Sequence, residues 1–261
     1  KYCFKFDTNS VDYTFPSFID VEIIDGAVYY NNRSVLLALL EDKETYEMPS
    51  SVTDVSTFAL SNLKIDNVIW SENCSYIPFG CFAKSTIKSI NFNGVKTIED
   101  FAFYKTNISS IELPASVTTL GSCVFSGATM TEFELPETVT SVGSALFANC
   151  LELKSITLNC NLSKVTLNNY PFFMSQTNKL GETTTTYSMM SYSYYAECGG
   201  PYDNTIFGFV PNLETLNIGS KVNDIYVVGY FPALIKITVD ENNPSFYAKD
   251  KKREDEELAY I

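Results

Sequence analysis

Glu112, Glu132 and Glu134 come nearest to a chemical cluster in this sequence, the last two alternating in TEFELP and the first standing in the comparable stretch SIELP. If both stretches are neighbouring strands, the three carboxylates share a face, because every second residue of a strand points the same way. Such a face suits a basic peptide or a weakly held calcium ion; the plainer alternative is a solvated sheet face. Carboxylate pairs also support glycoside hydrolysis, but an open strand face with no closing segment does not make a catalytic site. The chain has no histidine. That removes serine–histidine and cysteine–histidine nucleophile pairs, histidine-ligated zinc and the commonest general base. No Gly-rich phosphate loop and no GxGxxG turn is present. No enzymatic activity, cofactor or metal site is expected.

The second candidate surface is a stretch rich in tyrosine, serine, threonine and methionine, about residues 168–205, with few charges. Tyrosine gives wide amphipathic contact at little entropic cost, and serine adapts its hydrogen bonds, so both are favoured in recognition loops. The candidate contacts are Tyr187, Met189, Met190, Tyr192, Tyr194, Tyr195 and Tyr202. Two other readings stay open for the same residues: rings packed onto the chain's own body, or a mobile loop. The seven cysteines are odd in number and form no CxxC pair. Most are expected to be reduced packing residues, with Cys160 and Cys198 the pair to test first because both border this stretch. The four N-x-S/T sequons, at Asn32, Asn73, Asn107 and Asn161, are no more than chance supplies in so serine- and threonine-rich a chain.

The elements that must position these residues repeat. Large apolar anchors fall at Leu60, Phe82, Phe103, Phe125 and Phe147, steps of 22, 21, 22 and 22 residues. Strand-like tails centre on Val68, Ile90, Ile111, Phe133 and Ile156 with nearly the same steps. In the best-preserved copy, SVTTLGSCVFSGATMTEFELP, the predicted buried positions are Val117, Leu120, Phe125, Met130, Phe133 and Leu135. A unit of this length cannot bury its apolar side alone, but stacked copies make a continuous core. The strand register then sets the outward columns, Asn67, Ser89, Ser110, Glu132, Ser155, Thr215 and Lys236 before the central core residue, and Ile69, Asn91, Glu112, Glu134, Thr157, Asn217 and Thr238 after it. An exposed Trp70 or Ile69 is expected toward one end. The period fails after residue 167 and resumes at Phe207 and Leu216, so this coil carries the long insertion.

The units resemble the BspA-like class of leucine-rich repeats of bacterial and protist surface proteins, through Val-Thr at 117–118 and 139–140, IEDFAF from Ile98, FANC from Phe147, and Leu-Pro at 113–114 and 135–136. Two further segments, 25–49 and 239–250, are similar to that family's paired entry strands and its Asn-Pro interlude. The resemblance implies a leucine-rich-repeat solenoid, mainly β, with a parallel β-sheet on the concave wall and loops or short helical turns on the other. It implies residues 1–44 as an N-terminal capping segment, 45–239 as the solenoid, and 240–261 as an Asn-Pro segment and the start of a strand pair. It also implies adhesion without naming a ligand.

A net charge of −13 argues against nucleic acid and anionic membranes, whose binding rests on basic residues. No apolar run exceeds Val35–Leu40, far short of the roughly 20 residues of a spanning helix, so no membrane insertion is expected within this chain. A start at Lys1 fits a processed or trimmed product. The expected function is a non-enzymatic protein-binding module at the cell surface or secreted, an adhesin-type protein contacting an extracellular or host-surface protein. The alternative is a structural spacer or intracellular scaffold for protein assembly.

Overall fold

The computed structural model describes residues 20–160, 166–168, 174–177, 183–186, 207–222 and 231–245. Three short antiparallel strands open the chain: β1 (Val21–Ile24), β2 (Ala27–Tyr30) and β3 (Val35–Leu39). Asp25-Gly26 joins the first two with both residues at positive φ, the geometry of tight hairpin turns. β3 then pairs in parallel with β5 (Asp54–Val55), and antiparallel pairing gives way to the parallel stack.

From there each coil feeds two walls in turn. One wall takes β4 (Lys43–Glu47), β6 (Lys64–Ile69) and β8 (Thr86–Asn91), followed later by β11 (Glu132–Leu135), β13 (Ser155–Leu158), β17 (Thr215–Ile218) and β18 (Lys236–Val239). The other takes the short strands β7 (Tyr76–Ile77), β9 (Thr97–Ile98), β10 (Thr119–Leu120), β12 (Ser141–Gly143) and β14 (Thr166–Asn168), paired in parallel. Between β9 and β10 no long strand intervenes, and the first wall is split into blocks β4-β6-β8 and β11-β13-β17-β18. β13 pairs directly with β17, Ile156 opposite Leu216, so the sixty-residue interval between them spans a single coil. Within that interval β15 (Met174–Thr177) and β16 (Thr183–Thr186) form an antiparallel hairpin.

A third wall of hydrogen-bonded turns closes each coil, with no helix among the described residues. Loops or short helical turns were expected here, and the described residues form turns that are not helical. The anchor amide of each coil donates to the next: Leu60 to Cys81 O, Phe82 to Ala102 O, Phe103 to Val124 O and Phe125 to Leu146 O, at 2.8–3.0 Å. These bonds hold backbone that L-residues otherwise avoid: Phe58, Phe101, Cys123 and Ala145, two before the anchors, lie at φ of 55–61°.

Inside the walls the anchors stack. Phe82 lies 5.1 Å from Phe103, Phe103 is 5.6 Å from Phe125, and Phe125 is 5.6 Å from Phe147, with ring planes within 20°. Phe207 continues the column 5.3 Å beyond Phe147. All six predicted core positions of the best-preserved copy are buried. The second wall approaches its neighbours so closely that a Cβ on Gly121 would lie 2.3 Å from Asp100 Oδ1, which accepts the Ser122 amide at 2.7 Å.

Candidate functional site

The long-strand wall carries the predicted outward columns. Register places Asn67 beside Ser89, Glu132 beside Ser155 and Thr215, and Glu134 beside Thr157 and Asn217. Within each block the polar side chains bond to one another. Ser89 Oγ donates to Asn67 Oδ1 (2.8 Å), and Lys88 pairs with Asp66 (2.7 Å). In the other block Asn217 Nδ2 donates to Ser155 Oγ (3.2 Å) and Thr157 Oγ1 (3.1 Å), and Lys154 pairs with Glu214.

Between the blocks the pattern stops. Met48 N–H donates to Ile69 O (2.9 Å) and Trp70 N–H to Asn91 O (3.0 Å), and the next bond of that column, Phe92 N–H to Glu112 O, is not formed. Residues 109–113 make no ladder with either neighbour, and only the bridge Thr86–Asn107 marks where one would begin. The side chains still obey the repeat, with Ile108 and Ile111 buried. The sequence pattern leads to a continuous sheet here; the structure corrects that to an open coil. A cleft of about 560 Å³ lies between Lys88–Asn93 and Ser110–Pro114, within the roughly 300–1,000 Å³ of ligand sites.

Glu112 is exposed in this cleft, and Glu132 and Glu134 are exposed on the strand that follows. Among the described residues none of the three has an ion-pair partner; Glu134 accepts a hydrogen bond from Asn159 Nδ2 at 2.6 Å. No three Asp, Glu or Cys side chains among the described residues converge to hold a metal, so the carboxylates form a column and not a calcium cage. Trp70 is not exposed: it is fully buried, with Nε1 donating to Cys74 O at 3.0 Å and its ring 5.8 Å from Phe82. The reason is register, since Ile65, Val68 and Trp70 are the three inward positions of its tail. Ile69 is half-buried. Tyr187, Met189, Met190, Tyr192, Tyr194, Tyr195 and Tyr202 lie outside the described residues, as do Cys198 and the charged run 249–257.

Cys74, Cys81, Cys123, Cys150 and Cys160 are buried thiols with no disulfide among the described residues. Burial pushes the Cys160 thiol up to about 12, Cys81 well above its ordinary value and Cys74 upward too. Thiols held protonated are poor nucleophiles and poor metal ligands. Burial likewise raises Tyr46 and Tyr29, whose hydroxyls meet at 3.1 Å between β4 and β2. Two structural side chains escaped the sequence reading. Asp100 caps the Ser122 amide, and the nearby Gly121 is the only trace of it in the sequence. Asn243 is buried and donates to Gly219 O and Val222 O, both at 2.7 Å, tying its segment to the coil before it.

Residues 1–130 and 96–199 match the BspA type leucine rich repeat region, in six copies. The chain therefore belongs to the BspA-type leucine-rich repeat family. Similar solved structures include a leucine-rich repeat protein from Bacteroides ovatus, 16% identical with a TM-score of 0.47, where the match covers 76% of this chain and 43% of that one. A leucine rich repeat protein of T. pallidum is 23% identical with a TM-score of 0.41, covering 56% of this chain and 72% of that one. The pneumococcal vaccine antigen PcpA is 16% identical with a TM-score of 0.31, covering 79% and 71%. The chain thus spans less than half the length of the Bacteroides protein. No curated protein matches it significantly.

Proposed function

We propose that this chain is a non-enzymatic, surface-displayed binding module of adhesin type that contacts an extracellular or host-surface protein through its long-strand wall and its tyrosine-rich insertion. The observation that carries the reading is the contrast along the wall. Two blocks in which polar side chains bond to one another flank an open coil whose neighbouring carboxylates, Glu112, Glu132 and Glu134, have no cation among the described residues. Membership of a repeat family whose units are packing residues supports a scaffold that presents surface. A chain without histidine has no serine–histidine or cysteine–histidine pair, and burial holds the Cys81 and Cys160 thiols protonated.

The test is capture from a host-cell surface extract by the immobilised chain, compared with two variants. One carries Glu112→Gln, Glu132→Gln and Glu134→Gln; the other replaces residues 176–204 by a short Gly-Ser linker. Capture that falls in either variant, with thermal stability unchanged, supports the reading and says which surface serves. Capture that is absent, or equal in all three chains, overturns it in favour of a spacer.

A further inference from the structure

We infer that Asn93-Gly94, on the rim of the cleft, is a site of spontaneous covalent modification, where the Asn93 side-chain amide converts to aspartate and isoaspartate through a cyclic imide and unties Asn93 from the coil before it.

The pair is the single Asn-Gly of the sequence. Ring closure joins the Gly94 backbone nitrogen to Asn93 Cγ, an approach that a Cβ on the second residue hinders and that glycine leaves open. The local structure exposes both reacting groups. Phe92 O accepts the Val95 N–H at 3.1 Å, so Asn93 and Gly94 are the central residues of a tight turn, with Asn93 at φ 46°, in the left-handed region that asparagine tolerates. Among the described residues the Gly94 N–H has no acceptor. Beyond its chain neighbours, the one heavy atom within 4 Å of a Cβ built on Gly94 is Glu72 O, at 3.6 Å, so nothing crowds the nitrogen. Asn93 is exposed. Asn67 and Asn217 show the opposite case: each precedes a β-branched residue inside a strand that is paired on both sides.

The reaction needs only water. As Gly94 N bonds to Cγ, the bond from Cγ to Nδ2 breaks, and the proton lost by the Gly94 amide leaves with Nδ2 as ammonia. Water then opens the imide at either carbonyl. One opening restores the ordinary backbone with an aspartate; the other leaves isoaspartate, with an extra methylene in the main chain. Either product removes a contact between coils, because Asn93 Nδ2 donates to Trp70 O and a carboxylate has no proton to give. The new charge joins Glu112 among the groups that line the cleft.

The experiment incubates the full chain for several weeks at neutral pH and body temperature in heavy-oxygen water, beside Gly94→Ala and the free peptide of residues 89–96. Tryptic peptides are then read by mass spectrometry with fragmentation that separates aspartate from isoaspartate. The expected result is heavy oxygen at Asn93 and not at Asn91, gained faster than at any other described asparagine, with both products present. Gly94→Ala, which adds a methyl where there is room for one, should slow the conversion by about tenfold or more. The melting temperature should fall as conversion proceeds, and Asn93→Asp should melt below the parent. Label that enters the free peptide but not the folded chain would show that the turn protects Asn93 and would overturn the proposal. So would equal rates in the parent and Gly94→Ala. Should Gly94→Ala melt far below the parent, the comparison of folded chain with free peptide decides the matter alone. An Asn93→Asp chain as stable as the parent would overturn the loss of the contact with Trp70.

Discussion

Replacing Phe125 by alanine tests the stacked core where it is densest. The ring is fully buried and touches three others, Phe103 and Phe147 at 5.6 Å and Phe133 at 5.1 Å. Phe→Ala at a buried site costs about 3–5 kcal/mol, and each aromatic contact adds about 0.5–1.5 kcal/mol beyond area burial, so Phe125→Ala belongs at the upper end, about 5 kcal/mol. Phe58 is the control, since it is only half-buried and packs edge-on against Phe79 at 5.4 Å; Phe58→Ala should cost about half as much. The assay is urea unfolding followed by far-UV circular dichroism and by fluorescence of the single tryptophan, Trp70, which sits in the coils before the mutation. In a stack coupled only through neighbours, loss of one interface also weakens cooperativity. The two signals, coincident in the parent, should therefore separate in Phe125→Ala, the tryptophan transition moving less. A cost below about 1 kcal/mol, or no greater than that of Phe58→Ala, would refute a core built on the phenylalanine column.

Gly121→Ala should destabilise by several kcal/mol, because the new methyl would lie 2.3 Å from Asp100 Oδ1 and 2.5 Å from its amide nitrogen, whereas Gly94→Ala, 3.6 Å from Glu72 O, should be nearly neutral; thermal melts of the pair check this. Asn243→Ala removes two 2.7 Å bonds and leaves the Gly219 and Val222 carbonyls unserved, for an expected loss of about 1–3 kcal/mol by urea titration. Stability should fall at high pH: the Cys160 thiol is raised in the folded chain from near 9 to about 12, so above pH 9 the unfolded chain releases that proton first and is favoured. The expected slope from Cys160 is about 1.4 kcal/mol per pH unit between those values, and Cys160→Ala should remove it in unfolding curves taken from pH 8 to 11.

Much of the fold was legible because the repeat is written in large apolar side chains. A period near 22 residues carried by two independent columns can be satisfied only by stacking, and Phe82, Phe103, Phe125 and Phe147 do lie one upon another. The positions of Glu132 and Glu134 followed from strand alternation around Phe133. The open coil was not legible. ISSIELP has the same inward pattern as its neighbours, and that pattern is met by burying Ile108 and Ile111 whether or not the backbone pairs across the gap. Trp70 was misplaced because its tail was numbered outward from Val68, although a step of two returns to the same face. The polar devices, Asp100 under Gly121 and Asn243 across its coil, depend on contacts between coils that no local pattern records. The insertion has no period, so composition alone chose its tyrosines.

Amide hydrogen exchange resolved at single residues would test the central claim, a stacked solenoid opened at one coil, most directly. Amides of β6 and β13, bonded in ladders on both sides, should be strongly protected, while those of Ser110, Ile111, Glu112 and Leu113, together with Phe92, should exchange near the rate of free chain despite the burial of Ile108 and Ile111 beside them. Protection at Ser110–Leu113 equal to that of Ser155–Leu158 would show an unbroken sheet and contradict it.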